Sequence, residues 1–439
     1  MTFVLEPSPP NVFIGGPVPT PPGFPLKACR NDGIRIGNSI NAATWGESTP
    51  SVETKVNDET AGMPKRRFRR FALLGLTKKT ERIEVSDEPS AERISVIVPV
   101  LNEANRIERA LDSLVGQSAE VCEILVVDGG SNDGTQSIVA RFNDKDPRVR
   151  LLDATPVDRH WTGKAWGLNF GLQQSNPVCE WILCVDADVQ VSPALTRSLL
   201  AHATKSGVST FSVATPQQLS GKLEALIHPP MLTTLVYRFG APGTATHNIH
   251  RVQANGQCFL SRRAVLLRDQ AFSAAKTSLC EDITIVRRLA ECGETVGFYE
   301  AESNLIDVRM YGSWRETWEN WPRSLPMRDQ YFGWREGIGL VAVLLFQALP
   351  LPLLVLGLAF GEPIRFLTLV GLLSALRIGV LFGVARAYPN RPWTYWLSPV
   401  CDMPVVARII QCALKRRHSW RGRTYLRRKG GTFEPLRQD

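Results

Sequence analysis

The chain has 439 residues, 44% of them hydrophobic, and a formal net charge of +9 at pH 7. This length is sufficient for one large domain or two smaller ones with a substantial core. The positive charge is concentrated beside apolar segments, at Lys65–Arg70 and Lys415–Lys429, which favours an anionic membrane surface as a partner. No nucleic-acid-binding motif is present, so we expect no nucleic-acid partner. The nine cysteines include no C-x-x-C pair, which favours reduced thiols in the cytosol.

Residues 1–90 are predicted to form a disordered N-terminal extension, because stretches such as "PSPPNVFIGGPVPTPPGFP" are rich in Pro and Gly. The pattern of a secretory signal peptide is missing from this N-terminus. Within the extension, the segment Lys65–Leu76 with its basic residues 65–70 has two interpretations. It lies on a membrane surface, or it is a basic linker, and its apolar part is too short to span a bilayer.

From residue 91 onward the pattern becomes α/β. Short apolar, β-branched runs predict strands at Ile94–Val98, Glu123–Val127 and Trp181–Val185. Helical spacing of apolar residues predicts a helix over Glu103–Gly116, and a second helix opens at Gly134–Phe142. Apolar strands that alternate with helices indicate a mostly parallel sheet buried on both faces. We place this Rossmann-like domain at residues 91–330.

Residues 331–414 are predicted to be a membrane region. Gly337–Phe360 contains 24 residues without a charge, which is long enough to cross a bilayer. Phe366–Ala385 is a second predicted span, and Thr394–Leu414, with its prolines and charges, is predicted to be interfacial or re-entrant. The alternative is a buried helical hairpin in a soluble protein, which we disfavour because 24 uncharged residues exceed an ordinary core helix. Residues 415–439 are predicted to be a basic tail.

The distribution of arginines predicts the orientation of this region in the membrane. Basic residues flank the two predicted spans on one side, whereas the loop between the spans contains few charges. The positive-inside rule then predicts a multi-pass membrane protein whose α/β domain and basic tail face the cytoplasm. The flanking residues are Arg323, Arg328 and Arg335 before the first span and Arg386 and Arg391 after the second.

Polar residues follow three predicted strands at the points where the strands end. Asn102 and Glu103 follow the first strand, Asp128 opens "DGGSNDGT" after the second, and Asp186 and Asp188 follow the third. The carboxyl ends of parallel strands form the usual ligand-binding edge of such sheets. A single cluster of this kind is usually a turn that caps the next helix, but three clusters at one edge predict a polar site.

Asp186 and Asp188 form a D-x-D pair at the end of a buried strand. Residues two apart on a strand project to the same side, so both carboxylates can approach one cation. Mg²⁺ and Mn²⁺ prefer oxygen ligands and are often held by one or two carboxylates together with substrate phosphates. The alternative is that one aspartate caps the helix at Pro193 and the other is solvated.

The order of several motifs resembles family 2 glycosyltransferases with the GT-A fold. The motifs are "ISVIVPVLNEANRIERALDSLVGQS", "EILVVDGGSNDGT", "GKAWGLNFGL", "WILCVDADV", "ANGQCFLSRRA" and "CEDITIVRRL". They span about residues 93–330. The resemblance implies a GT-A catalytic domain that binds a UDP- or GDP-sugar together with a divalent metal, followed by C-terminal transmembrane helices.

The resemblance also implies roles for individual residues in donor binding. Asp128 would hydrogen-bond the nucleotide base, with a turn residue as the alternative. Lys164 would bind the diphosphate or ribose, with a solvated surface lysine as the alternative. The remaining implied donor-site residues are Pro99, Asn102 and Glu103 in the nucleotide pocket, and Asp186 and Asp188 at the metal and the diphosphate.

For the acceptor reaction, the resemblance implies Asp282 as general base and Glu281 as the fallback. The alternative is that this acidic pair only opens a helix, where carboxylates are favoured. The family pattern further implies attack opposite the leaving group, with inversion at the sugar. Processive members have a Q-x-x-R-W motif before their membrane helices, whereas this chain has "SWRETWENWPRSLPMRD", which favours the addition of one sugar. Arg323 in this segment contacts the donor phosphates or is a positive flank of the span.

The C-terminal third indicates the acceptor. "SWRGRTYLRR" and "RSLPMRD" resemble segments of lipid and carotenoid glycosyltransferases, which implies a membrane lipid acceptor, a carotenoid or another isoprenoid. Sphingolipid- or hopanoid-type lipids are the alternative acceptors, and a non-catalytic nucleotide-sugar-binding protein is the alternative function. A dinucleotide oxidoreductase is excluded because no G-x-G-x-x-G follows the first strand. The sequence indicates no oligomeric state.

Overall fold

The computed structural model describes residues 80–420, 423–428 and 430–436. Nine strands form the main sheet in the order β1-β10-β7-β9-β5-β2-β3-β4, with β8 paired to β10. Two further sheets are formed by β6 with β11 and by β12, β13 and β14. The strands are β1 Arg82–Ile83, β2 Ile94–Val100, β3 Val121–Asp128, β4 Val149–Asp153, β5 Trp181–Val185, β6 Val189–Val191, β7 Thr210–Ala214, β8 Thr244–Thr246, β9 Cys258–Arg262, β10 Val296–Ala301, β11 Ile306–Val308, β12 Arg417–Trp420, β13 Arg423–Arg427 and β14 Phe433–Pro435.

The helices cover both faces of the main sheet and continue into the C-terminal region. They are α1 Ile107–Val115, α2 Thr135–Lys145, α3 Gly163–Gln174, α4 Leu195–Ser206, α5 Glu224–Phe239, α6 Arg263–Arg268, α7 Ala271–Ala274, α8 Glu281–Glu291, α9 Trp314–Asn320, α10 Trp334–Val343, α11 Pro350–Phe360, α12 Ile364–Val384 and α13 Asp402–Leu414. Short 3₁₀ or π segments lie at Trp321–Arg323, Leu344–Ala348, Ala385–Ala387 and Trp393–Cys401.

The predicted mostly parallel sheet, buried on both faces, is confirmed. Strand β2 pairs in parallel with β3 and β5, so that Ile97 lies opposite Leu125 on one side and Cys184 on the other. Val96 packs on one face of the sheet in the same cluster as α1, whereas Ile97 packs on the other face with α3 and α8. Strand β9 runs antiparallel to both of its neighbours, β5 and β7.

Helix α1 is shorter than predicted. It begins at Ile107 and not at Glu103, because the backbone N–H groups of Arg106 and Ile107 both donate to the carbonyl of Glu103 in a turn. The turn leaves Glu103 at the edge of the sheet, where the predicted polar cluster lies. The predicted apolar stripe of α1 is buried at Ile107, Leu111 and Leu114.

The α/β fold extends upstream of the boundary predicted at residue 91. Strand β1 pairs with β10, and its Ile83 is fully buried. The backbone N–H of Ser86 also donates to Ser198 Oγ at 2.9 Å. Residues 80–90 therefore belong to the sheet edge, whereas the rest of the predicted extension, with basic residues 65–70, lies outside the described residues.

The predicted membrane region, residues 331–414, contains a helical break that the sequence did not locate. The predicted span 337–360 is divided into Trp334–Ala348 and Pro350–Phe360, which meet at 44°. Pro350 lacks the N–H of a regular helical turn, and its ring clashes with the preceding turn. By length and composition alone, Ile364–Ala387 and Trp393–Leu414 could each cross a membrane, and the bent pair would make a third span. The number of crossings stays a prediction.

A buried polar contact joins three segments of this region. Arg377 on α12 is ion-paired with Asp402 at the start of α13, with 2.7 Å between Nε and Oδ2. Gln347, in the π segment, donates to the same carboxylate at 2.8 Å. An arginine inside an apolar helix is costly unless it is paired, and Asp402 is the partner that makes Arg377 tolerable here.

The predicted basic tail, residues 415–439, contains a three-stranded sheet. Strands β12, β13 and β14 pair antiparallel, and Tyr425 and Phe433 are buried. The sheet packs on the α/β domain: the N–H of Phe433 donates to Thr277 O at 2.8 Å, and Arg323 Nη1 donates to Ser419 O at 2.8 Å. Burial of Tyr425 and Phe433 and these hydrogen bonds explain why this segment is folded against the domain.

Candidate active site

A cavity of about 360 Å³ lies beyond the carboxyl ends of β2, β3 and β5. Helices α3 and α8 both begin at this edge of the sheet, so their first residues point toward the cavity. The remaining walls come from strand β13 and from the segment that follows β11. The cavity contains the following residues predicted from the sequence: Pro99, Glu103, Lys164, Asp186, Asp188, Glu281, Asp282 and Arg323.

Asn102 and Asp128 do not line this cavity. Asp128 is fully buried and accepts hydrogen bonds from Ser131 N (3.0 Å) and from Gln136 Nε2 (2.5 Å). Asn102 donates from its backbone to Ser131 Oγ and accepts from Asn132 N through its side chain. Both residues therefore stabilise the loop after β3. For Asp128 this agrees with the alternative interpretation as a turn residue. The contact of either residue with a nucleotide stays a prediction.

Asp186 and Asp188 reach the cavity from a turn and not from the strand itself. Strand β5 ends at Val185, and the N–H of Val189 donates to Asp186 O to close the turn. The alternation of side chains along a strand is therefore not what brings the two carboxylates together. The turn nevertheless directs both of them into one cavity.

The Oδ1 atom of Asp188 is buried and has no hydrogen-bond partner within the described part of the chain. Burial and the charge of Asp186 raise the pKa of Asp188 to about 7. An unpartnered buried carboxylate oxygen is costly unless a donor or a cation satisfies it. The pair therefore fits an Mg²⁺ or Mn²⁺ ion, whose preferred ligands are oxygens.

Lys164, the second residue of α3, bridges two carboxylates across the cavity. Its Nζ atom lies 2.8 Å from Asp186 Oδ1 and 2.9 Å from Glu281 Oε1. Burial alone would lower the pKa of Lys164, but the charges of Asp186 and Glu281 raise it above its ordinary value. The lysine is therefore a charged partner in the centre of the site and not the solvated surface residue of the alternative interpretation.

Glu281 and Asp282 open helix α8 beside Lys164. Asp282 Oδ1 accepts a hydrogen bond from Ile283 N at 2.8 Å. Burial and the neighbouring charge of Glu281 raise the pKa of Asp282 to about 7. A carboxylate with such a pKa can accept a proton near neutral pH.

No group of three or more His, Cys, Asp or Glu side chains that could hold a metal ion exists among residues 80–420, 423–428 and 430–436. A cation at Asp186 and Asp188 would therefore need further ligands from a substrate or from water. Mg²⁺ at sites of phosphate chemistry is commonly bound in this way.

Several residues of the cavity were not predicted. Arg106 is ion-paired with Glu103 at 3.4 Å and with Glu316 at 2.9 Å, so it connects the β2 loop to α9. Arg423 and Tyr425 enter from the C-terminal sheet. They belong to the segment "SWRGRTYLRR". Its resemblance to other sequences indicated the class of acceptor, but nothing in it predicted that these two residues line the cavity.

Residues 95–266 match the family model described as "Glycosyl transferase family 2". The chain is 25% identical over 326 residues to the succinoglycan biosynthesis protein ExoA of Rhizobium meliloti, which covers 69% of this chain and 86% of that protein. It is also 25% identical over 261 residues to a 4,4'-diaponeurosporenoate glycosyltransferase of Staphylococcus haemolyticus, which covers 59% of this chain and 66% of the relative.

Among solved structures, a mannosyltransferase from Pyrobaculum calidifontis in complex with GDP-Man and Mn²⁺ is similar to this chain. The sequence identity is 20% and the TM-score is 0.49. The similarity covers 80% of this chain and 93% of that one.

Proposed function

We propose that this chain, whose residues 95–266 match the family 2 glycosyltransferase model, transfers a single sugar from a nucleotide sugar to a membrane lipid. The donor is a UDP- or GDP-sugar, the reaction is metal-dependent and inverting, and the acceptor is a hydroxyl of a carotenoid or another isoprenoid. The observation that carries this proposal is one cavity that gathers an aspartate pair, a bridging lysine and a second acidic pair at the strand ends.

The donor would lie across the carboxyl ends of β2, β3 and β5. Pro99, Asn102, Glu103 and Asp128 are assigned to its nucleoside end. Lys164 and Arg323 are positive charges that line the cavity, and we assign them to the diphosphate, because charge-assisted hydrogen bonds to phosphate are strong.

Asp186 and Asp188 would hold the Mg²⁺ or Mn²⁺ ion, which when bound neutralises developing negative charge on the leaving diphosphate. The unpartnered Oδ1 atom of Asp188 supports this assignment. Lys164 holds the Asp186 carboxylate in position from α3.

Asp282 would accept the proton of the acceptor hydroxyl as the hydroxyl attacks the sugar. Its raised pKa matches a general base that operates near neutral pH. Attack opposite the diphosphate inverts the anomeric centre. Glu281 is the second choice, because its carboxylate is already ion-paired with Lys164.

A lipid acceptor is supported by the segment that joins the cavity to the apolar helices. Trp321 and Arg323 line the cavity, and α10 begins shortly after them. Apolar side chains of α11 and α12 are highly exposed, including Phe360 at 79% and Ile364 at 75%, as expected for helices in a bilayer. One relative is named as a 4,4'-diaponeurosporenoate glycosyltransferase; this name denotes a carboxylate, so it supports the class of lipid and not the hydroxyl as the acceptor group. A sphingolipid- or hopanoid-type lipid is the alternative acceptor.

In this proposal the cavity faces the cytoplasm and the basic segments face anionic lipid, and the positive-inside pattern of the arginines supports this orientation. The nucleotide sugar would then enter from the cytoplasm, and the lipid would enter from the membrane plane. The missing Q-x-x-R-W motif supports transfer of one sugar and not chain extension.

The test is sugar transfer by membranes that contain the full chain. Radiolabelled UDP-glucose and GDP-mannose are supplied separately, with Mn²⁺ or with EDTA, and with hydroxylated carotenoids or a sphingolipid as acceptor. We expect a labelled lipid in the presence of Mn²⁺ with wild-type membranes and a loss of at least about a hundredfold with Asp282→Asn. Asp112→Asn, which changes an exposed acid on α1, is the matched control and retains transfer. Label in polysaccharide but not in lipid would contradict the proposal.

A further inference from the structure

The C-terminal sheet closes one side of the cavity. Within this sheet, Tyr425 lies at the centre of β13 and is 1% exposed. Arg423 lies two residues earlier on the same strand, and alternate residues of a strand project to one face. Both side chains line the cavity, so this face of β13 is a wall of the site.

The Arg423 guanidinium lies between two loops of the donor-binding edge. Its Nη2 atom donates to Gly129 O at 3.1 Å, which is the carbonyl just after Asp128 and strand β3. On the other side it lies against Gly163, the first residue of α3. A Cβ atom on Gly163 would be only 3.0 Å from Arg423 Nη1, so the glycine makes room for the guanidinium.

The described part of the chain gives Arg423 no carboxylate partner. Within the described residues no carboxylate is ion-paired with Arg423, whereas Lys164 next to Gly163 is paired with Asp186 and Glu281. A guanidinium has five N–H donors, and the bond to Gly129 O uses one of them in a side chain that lines the cavity. The half-buried side chain therefore retains the capacity to bind an anion.

The backbone around Arg423 favours the same kind of ligand. Helix α3 has 12 residues and begins at Gly163, and its first turn has no side-chain cap. The N-terminus of such a helix is a region of positive potential with unsatisfied N–H groups. Arg423, Lys164 and this helix end converge on one part of the cavity, beside the carboxylates proposed to hold the metal.

From these contacts we infer that Arg423 binds the diphosphate of the nucleotide donor, so that the C-terminal sheet β12–β14 is part of the donor site. This inference rests on the proposed function. The catalytic region would then not end before the membrane helices: the chain crosses or lies on the membrane and returns to complete the site.

Nucleoside diphosphate binding by the full-length protein in detergent tests this inference. Calorimetric titrations with UDP and with GDP, each with Mn²⁺, are made for the wild type, Arg423→Gln, Arg423→Lys and Arg417→Gln. Arg417 lies exposed on β12 and does not line the cavity, so Arg417→Gln is the matched control. We expect Arg423→Gln to weaken binding by about tenfold or more, because a charge-assisted phosphate contact is lost.

Arg423→Lys retains the charge but not the planar pair of donors, so we expect an intermediate loss. If Arg423→Gln does not fold, the inference is tested with Arg423→Lys alone. An affinity of Arg423→Lys for UDP and GDP equal to that of the wild type then contradicts the inference. Wild-type affinity in a folded Arg423→Gln protein also contradicts it, while the proposed function stands. If the wild type binds neither UDP nor GDP, the proposed donor class itself is wrong. In transfer assays the donor KM should rise in Arg423→Gln and the acceptor KM should not.

Discussion

The Nζ atom of Lys164 lies 2.8 Å from Oδ1 of Asp186 and is thereby fixed at the end of strand β5. The same nitrogen is 2.9 Å from Glu281 at the start of α8. One ammonium group therefore joins the proposed metal-binding turn to the proposed base. We expect each half of the site to respond when the other half is altered, since the electrostatic interaction between charges this close is strong in a partly buried site.

Replacement of Lys164 by Gln should shift the pH dependence of the reaction. The ammonium charge lowers the pKa of Asp282 and of Asp188 against the effect of burial. Its removal therefore raises the pKa of the base, and the acidic limb of kcat/KM moves to higher pH. The measurement is a pH–rate profile of sugar transfer at fixed metal concentration. Lys222→Gln, an exposed lysine, is the control, and an unshifted limb in Lys164→Gln would falsify the proposed coupling.

Asp282 itself should set the acidic limb in the wild type. Only the ionised carboxylate accepts a proton, and burial together with Glu281 raises its pKa to about 7. Activity should therefore fall as the pH drops below 7, by about tenfold per pH unit once the acid form dominates. The pKa of the base in the free enzyme is obtained from the pH dependence of kcat/KM.

The variant Glu281→Gln distinguishes the two acids at this position. If Asp282 is the base, removal of the Glu281 charge lowers the pKa of Asp282, and the acidic limb moves to lower pH, opposite to the shift in Lys164→Gln. If Glu281 were the base, the same variant would abolish transfer, and Asp282→Asn would retain it.

Asp188→Asn should alter the response to metal more than the binding of the nucleoside. Its carboxylate has a buried oxygen without a partner among the described residues, and an amide is a weaker ligand for Mg²⁺ or Mn²⁺ than a carboxylate. We expect the Mn²⁺ concentration for half-maximal transfer to rise by about tenfold or more. Direct Mn²⁺ binding, followed by electron paramagnetic resonance, should weaken in parallel, and Asp112→Asn should leave both values unchanged. An unaltered Mn²⁺ requirement in Asp188→Asn would show that the pair does not hold the metal.

The strands that carry the site were predictable because their sequences are locally unambiguous. Ile94–Val98 is apolar except for Ser95, and Trp181–Val185 is apolar throughout, a pattern typical of short strands in a sheet buried on both faces. Because the two strands run parallel, their last residues lie at the same edge of the sheet. Glu103, Asp186 and Asp188, which come after these strands, line one cavity there. The antiparallel direction of β9 could not be predicted in this way, because a strand buried on both faces has the same apolar pattern in either direction.

Contacts between distant segments were not predictable. Gly129 and Arg423 are 294 residues apart in the chain, and no local pattern in "SWRGRTYLRR" indicates that this segment returns to the cavity. The same is true of the Asp128 side chain: its sequence position at a strand end suggested a ligand contact, but Ser131 and Gln136 already hydrogen-bond it. In a short polar turn, hydrogen bonds within the turn compete with a ligand for the carboxylate. A sequence motif does not indicate which of the two the carboxylate makes.

The most deeply buried ion pair of the α/β domain provides a prediction on stability. Arg287 on α8 and Asp329 are both 0% exposed, with 2.7 Å between Nη1 and Oδ1. Asp329 also accepts a hydrogen bond from Thr284 at 3.0 Å. The pair fixes the helix that carries Glu281 and Asp282 to the segment preceding α10. It positions the proposed base but does not contact the cavity.

Arg287→Met should destabilise the protein by about 3–5 kcal/mol, because it leaves the Asp329 charge buried without its cation. The double variant Arg287→Met/Asp329→Leu should recover most of this loss, since a well-packed apolar pair avoids the uncompensated charge. The measurement is thermal and denaturant unfolding of the detergent-solubilised chain. Lys205→Met breaks the ion pair with Glu84, whose two side chains are 70% and 69% exposed, and should cost at most about 1 kcal/mol. If Arg287→Met and Lys205→Met had equal effects, the buried pair would not be the element that holds α8 in place.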